Sequence, residues 1–196
     1  MTENRRTITD PRTLRALSHP VRLALLDALR HEGPLTATRA GAIIGETPTT
    51  CSFHLRQLAH YGFVEEAGGG TGRARPWRLL VDSWSAPVRP DDDEFMLASR
   101  VLDHVLLGRE VDRMTRFVDT VTEFPDEWQR AASGQITTGY ATANELAEIG
   151  EAYRALVETY RERFRARVAD PSQRPDGSVP VDLFFAAFPT RPAQQR

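Results

Sequence analysis

Residues 36–60 read TATRAGAIIGETPTTCSFHLRQLAH, and two helices joined by a tight turn follow from them. Thr36 offers a side-chain oxygen to the orphan N–H groups that open the first helix, in which Ala40, Ile43 and Ile44 are predicted to face inward. Gly45 stands where a helix C-terminus needs positive φ. Thr47 caps the second helix, and Pro48 takes its first position, where a missing N–H costs nothing. Only a tight turn fits between Gly45 and Pro48, so the pair reads as a helix-turn-helix.

At about 100° per residue the second helix has two distinct faces. Cys51, Leu55 and Leu58 fall within about 60° of one another and form the stripe to be buried. Opposite them, Thr49, Ser52, Phe53, Arg56 and His60 form one line at spacings of three and four, with Thr47 and Thr50 at the helix start. Such a helix fits the DNA major groove, where hydroxyls and Arg read donor and acceptor patterns and an aromatic ring touches a thymine methyl. The competing reading is a plain solvated face, against which an exposed Phe53 counts.

Upstream, Asp10-Pro11 is a cap followed by a first-turn proline, opening a short helix through Leu14 and Leu17. A second helix begins at Pro20, carries Val21, Leu25, Ala28 and Leu29 at helical spacing, and ends at Gly33. Downstream, FVEEA, GGGTG and RARPWRLL read as a hairpin with a glycine-rich tip. Arg73 and Arg75 are then placed for phosphates or for the minor groove beside a docked helix. GGGTG lacks the lysine and following helix of a nucleotide-cradling loop. Arg5 and Arg6 read either as a flexible basic arm or as solvated terminal residues.

The 196 residues are 40% hydrophobic and 27% charged, a soluble globular mix with length for a real core. No apolar run approaches a bilayer span, and MTENRRTITD has no apolar segment behind its arginines, so a cytoplasmic protein without membrane contact is expected. One cysteine, Cys51, excludes a disulfide scaffold. The net charge of −2 hides an asymmetry: residues 1–80 carry 11 Arg against 7 acids, residues 81–196 carry 14 against 20. A basic half joined to an acidic one suits a first half that meets a polyanion. The chain contains no Lys, so any phosphate contact is made by a planar, always-charged fork.

The second half begins after SWSAPVRPDDD, residues 83–93, read as a turn or hinge with a boundary near Pro90. The predicted organisation is a DNA-binding domain at 1–82, a linker at 83–90 and a helical dimerisation and effector region at 91–196. Asp91, Asp92, Asp93 and Glu94 suit a helix N-terminus. The long pattern behind them, from Phe95 to Val121, is apolar over too wide an arc for one neighbour and reads as part of a dimer seam. Thr142 and Glu145 form a capping box for a further helix with near-heptad apolar spacing. Val179, Val181, Leu183 and Phe185 alternate as in a strand, and residues 135–141 are their expected partner. Trp128, Tyr140, Tyr153 and Tyr160 combine rings with polar handles; they read either as aromatics of the core and dimer interface or as the candidate lining of a small-molecule effector pocket.

LRALSHPVRLALLDAL, the segment LTATRAGAIIGETPTTCSFHLRQLAHYGFVEE and GRARPWRL together resemble the winged helix-turn-helix of ArsR-type bacterial transcription regulators over residues 11–80. The specific pieces are the SHPVR opening, Ser52, His54 and Leu55 in the reading helix, and Gly62 and Val64 entering the wing. The resemblance implies a mainly helical fold with a small sheet, a homodimer on a roughly palindromic double-stranded operator, and frequent control by an effector. Metal-sensing members carry a cysteine pair or paired Asp/His and His/Glu ligands. Here Cys51 lies on the buried stripe, and Asp103 and His104 are adjacent with no second histidine following, so neither a metal nor another cofactor is expected. No nucleophile–base pair or paired catalytic carboxylates appear, so an enzyme is not expected either. The alternative to a regulator, expected to be a repressor, is a winged-helix module whose outer face contacts protein.

Overall fold

The helices of the first half start at side chains that satisfy their orphan N–H groups. The computed structural model describes residues 5–68, 75–81 and 83–191. Asp10 accepts from the backbone N–H of Arg12 at 3.1 Å and of Thr13 at 3.2 Å, opening α1 (Pro11–Leu17). His19, a residue outside the usual set of helix caps, accepts at Nδ1 from Val21 N–H at 3.2 Å and opens α2 (Pro20–Glu32). Thr36 Oγ1 accepts from Arg39 N–H at 3.2 Å to start α3 (Ala37–Ile44), and Gly45 ends it at φ +76°. Thr47 starts α4 (Pro48–His60). That helix closes with Gly62 N–H on Ala59 O and Phe63 N–H on Leu58 O, both 2.9 Å, around Gly62 at φ +72°. These two bonds form the C-terminal motif that Gly adopts without strain.

Three short strands complete a winged helix-turn-helix. With β1 (Arg5–Thr7) preceding them in the chain, they are β2 (Leu35–Thr36), β3 (Val64–Glu66) and β4 (Pro76–Leu79), antiparallel in the order β2-β4-β3. The expected hairpin is β3-β4, with Val64 opposite Leu79 and Glu66 opposite Trp77. Its tip, including Arg73, lies outside the described residues. Leu14, Leu17, Leu25, Leu26, Leu55, Leu58 and Phe63 are buried together, each contributing ~1.5–3 kcal/mol by leaving water. In α3 the inward face is Ala40 and Gly41, with Ile44 partly packed; Ile43, expected inside, is exposed. Large side chains there would hold α4 away. A Cβ on Gly41 would lie 2.5 Å from the Glu46 carbonyl oxygen and 3.5 Å from Cys51 Sγ.

Two expectations near the ends of this half are corrected. Arg5 and Arg6 are not a flexible arm: β1 pairs in parallel with β5 (Ser83–Ser85), so part of the expected linker is a strand too. Arg6 donates to the carbonyl of Tyr61, and its guanidinium lies 4.9 Å from the centre of the Phe63 ring. These contacts bind the chain end to the C-terminus of α4. Helix α5 (Asp93–Thr120) begins with Phe95 N–H donating to Asp92 Oδ1 at 2.9 Å. It buries Phe95, Ala98 and Leu102 against the core and leaves Leu97, Val101, Leu107 and Val111 exposed on the opposite side. Asp27 of α2 accepts from Arg30 at 2.9 Å and from Arg109 and Arg113 of α5.

The chain forms two compact units, Met1–Arg113 and Met114–Arg196. The second contains the end of α5, α6 (Asp126–Ala131) and α7 (Ala143–Ala169), each followed or separated by irregular chain. The capping box of α7 is present, with Glu145 N–H on Thr142 Oγ1 at 3.2 Å and Thr142 N–H on Glu145 Oε2 at 2.7 Å. The strand expected at 179–185 and its partner at 135–141 are absent: both segments are irregular. Alternation of apolar residues there is not matched by a second row of backbone donors and acceptors, without which no strand is stable. Among the described residues, no helix is long and apolar enough to cross a membrane.

Gly41→Ala is expected to destabilise the first unit by about 1–3 kcal/mol, because the methyl group meets backbone rather than a movable side chain. Urea unfolding at equal slope would measure it, and an unchanged midpoint would show that α3 and α4 can part at no cost.

Candidate nucleic-acid interface

The inner side of α4 is pinned by Cys51, Leu55 and Leu58, all 0% exposed. That anchoring determines which residues are left outside. Thr47, Thr49, Phe53, Arg56 and His60 are exposed, while Thr50 and Ser52 are half-buried. Phe53 keeps 51% of its surface in water, apolar area that the monomer leaves unused. Arg56 Nη1 donates to Ser52 Oγ at 2.8 Å, so the guanidinium is held along the helix face one turn above the hydroxyl. Thr47 is committed to its cap: its Oγ1 accepts from Thr50 N–H at 3.1 Å and shares a 2.9 Å hydroxyl contact with Thr50.

On the wing, Arg75 is exposed and donates to Glu66 Oε2 across the strands at 2.7 Å. The hydrogen bond and the charge of Glu66 hold this guanidinium even more firmly protonated than usual. An exposed pair of this kind is weak, and a phosphate can replace the carboxylate. Arg78 and Glu65 form a second cross-strand pair at 2.5 Å.

Beneath the exposed line lies a polar residue that shares the buried side of α4 with Cys51 and Leu58. His54 is 8% exposed, with its ring centroid 5.1 Å from Phe53 and 4.4 Å from His19. Its Nδ1 is buried without a hydrogen-bond partner. Burial pushes the pKa of both histidines down; the Arg22 charge adds to this for both and the His19 charge for His54, while Glu46 opposes. Both rings therefore favour the neutral form. Burial, and then Glu46, push the Cys51 thiol up, so it packs as a small apolar group. Among the described residues no three His, Cys, Asp or Glu side chains cluster as a metal site would.

The four aromatics expected to line an effector pocket are spread over the second unit. Trp128 is half-buried on α6, and Tyr140 is fully exposed on irregular chain. Tyr153 of α7 stacks on Phe185 with centroids 4.3 Å apart, and Tyr160 lies 6.1 Å from Phe164 of its own helix. Each of these two tyrosines thus faces a phenylalanine rather than another member of the four. Phe185, expected in a strand, is instead the partner of Tyr153.

A helix-turn-helix domain model matches residues 17–67, which span α2, α3, α4 and β3. No curated protein matches the chain. Among solved structures, the PcaV transcriptional regulator of Streptomyces coelicolor, in complex with its natural ligand, is 19% identical over 71% of this chain and 74% of its own, with a TM-score of 0.31. Transcriptional regulator Tm0710 of Thermotoga maritima is 15% identical over 63% and 85%, also at 0.31. A point mutant of ZitR of Lactococcus lactis is 14% identical over 74% and 73%, at 0.28.

Because the fold lowers the pKa of His19 and His54 below the ordinary 6.5, the unfolded chain binds protons first as pH falls. Their contribution to stability is complete above about pH 6.5 and is lost below it, before most carboxylates titrate. The thermal midpoint is expected to drop between about pH 7.5 and 5.5, and to drop less in His54→Leu. Identical pH slopes in the two proteins would remove His54 from this account.

Proposed function

We propose that this chain is a sequence-specific DNA-binding transcription regulator of the ArsR-like winged type, a homodimer that represses by occupying a palindromic operator. The observation that carries the reading is the outer face of α4. A hydroxyl, a half-exposed ring and a hydrogen-bonded guanidinium stand in line on a helix whose other side cannot turn away, because Cys51, Leu55 and Leu58 are fully buried. In the major groove, Thr49, Ser52, Phe53, Arg56 and His60 reach base edges, with Thr47 and Thr50 near the backbone. Arg73 and Arg75 on the wing supply phosphate contacts.

The helical region from residue 91 supplies the dimer contact. Leu97, Val101, Leu107 and Val111 lie on α5 opposite its buried side, and a second copy of the same helix would remove them from water. Two reading helices then meet successive major grooves ~34 Å apart. An effector acting through this region would have to bind one spacing better than another to change occupancy. The helix-turn-helix match and the lack of a catalytic constellation in the sequence support a regulator over an enzyme.

Fluorescence anisotropy with DNA from upstream of the gene, a shuffled duplex and selected genomic fragments, at several salt concentrations, tests this. Substitutions at Thr49, Ser52 or Phe53 are expected to change which sequence is preferred, by about 1–3 kcal/mol for each base no longer read. Arg73→Ala with Arg75→Ala is expected to weaken all duplexes and lower the salt slope by about two. Wild-type protein that selects no sequence would move the outer face of α4 to protein contacts.

Val101→Glu, at a position with 46% exposure, is expected to leave the monomer folded and shift sedimentation from dimer to monomer. Dimers of unchanged stability in that variant would place the seam elsewhere.

A further inference from the structure

Beside the C-terminal end of α4 lies an open cavity of about 250 Å3, lined by Arg12, Arg15, Ala16, Arg22, Gln57 and Tyr61. Three elements meet there: α1 provides Arg12 and Arg15, α2 provides Arg22, and α4 provides Gln57 with Tyr61 as its cap. Among the described residues, three arginines line it and no carboxylate does. Arg15 has a carboxylate partner in Glu94 at 2.8 Å, both side chains being more than half exposed. Arg22 is different. Its Nη2 donates to the Arg15 carbonyl at 3.3 Å, and its Nε is buried without a partner.

Arg22 bears the cost of leaving water, which pulls its pKa down, with Tyr61 opposing. An oxyanion in the cavity offsets that cost. A guanidinium fork matches the spacing of phosphate oxygens, so the arginines lining the cavity offer it paired donors. Gln57 and Tyr61 add neutral hydrogen-bonding groups on the recognition-helix side. We infer that this cavity binds a phosphate-type tetrahedral oxyanion, gripped by Arg12 and Arg22 with Gln57. The anion is either free, alone or as the terminal group of a small molecule, or a backbone phosphate of DNA. In its free form the site stands independently of the DNA reading; only the second source rests on it.

Thermal unfolding of the full chain, with inorganic phosphate exchanged for chloride at constant ionic strength, tests the site in wild type, Arg12→Gln and Arg22→Gln. A saturable rise is expected in wild type, about 3–5 °C once phosphate is about tenfold above its dissociation constant. It should vanish in both variants. Arg12 is exposed, so its variant keeps the wild-type midpoint in chloride and serves if Arg22→Gln fails to fold. If wild type shows no phosphate response but Arg12→Gln lowers the salt slope of duplex binding by about 0.9, the occupant is a DNA phosphate. A response equal in all three proteins, or no response together with an unchanged slope, overturns the inference. Phosphate binding by a chain that binds no duplex would sink the DNA reading and leave this site in place.

Discussion

A Cβ at residue 41 would stand 2.5 Å from the carbonyl oxygen of Glu46, so the tight turn that folds α3 back against α4 depends on Gly41 having none. The backbone N–H groups of Gly45 and Glu46 both donate to the Gly41 carbonyl, at 2.9 and 3.0 Å, closing the turn on the same residue. Once α3 is this near, Cys51, Leu55 and Leu58 have no route to solvent. The rotation of α4 about its axis is then decided by packing, and Thr49, Phe53, Arg56 and His60 are left outside.

The same rotation buries His54. A histidine without a partner at Nδ1, its ring tilted against another histidine and near an arginine, is tolerated because it is neutral; a proton would put charge where water is excluded. Helix α4 therefore rests on a layer whose stability responds to pH in a range where most other groups do not. Around it the cations are arginines only. Some are neutralised, as where Arg30, Arg109 and Arg113 converge on Asp27 and tie α5 to α2. At the cavity beside α4, by contrast, Arg15 reaches out to Glu94 while, among the described residues, no carboxylate stands in the lining itself.

Helix starts are legible in the sequence because capping is settled within three residues: Asp10, Thr36, Thr47 and Thr142 each accept from the N–H two or three positions on. The two faces of α4 are legible for the same reason, since a 3.6-residue period places Leu55 and Phe53 on different sides whatever surrounds them. Ile43 departs from its expected place because periodicity assigns a face without measuring how close the neighbour comes. His54, three residues after Cys51 and four before Leu58, falls beside the buried stripe by period; its ionisable ring, not its position, is what argues against an inside place.

Strands show where local information ends. Arg5–Thr7 looks like a polar terminus, yet it is a strand, because Ser83–Ser85 lies beside it to share hydrogen bonds. Residues 179–185 alternate as a strand should and are irregular, because no second row of donors and acceptors meets them. Caps, turns and helical faces were written in the order of neighbouring residues, since their energies are exchanged within one helical turn. Which strands exist and which arginines share a cavity were decided by contacts between residues far apart in the chain, where the energy of one group depends on where the folded backbone puts the other.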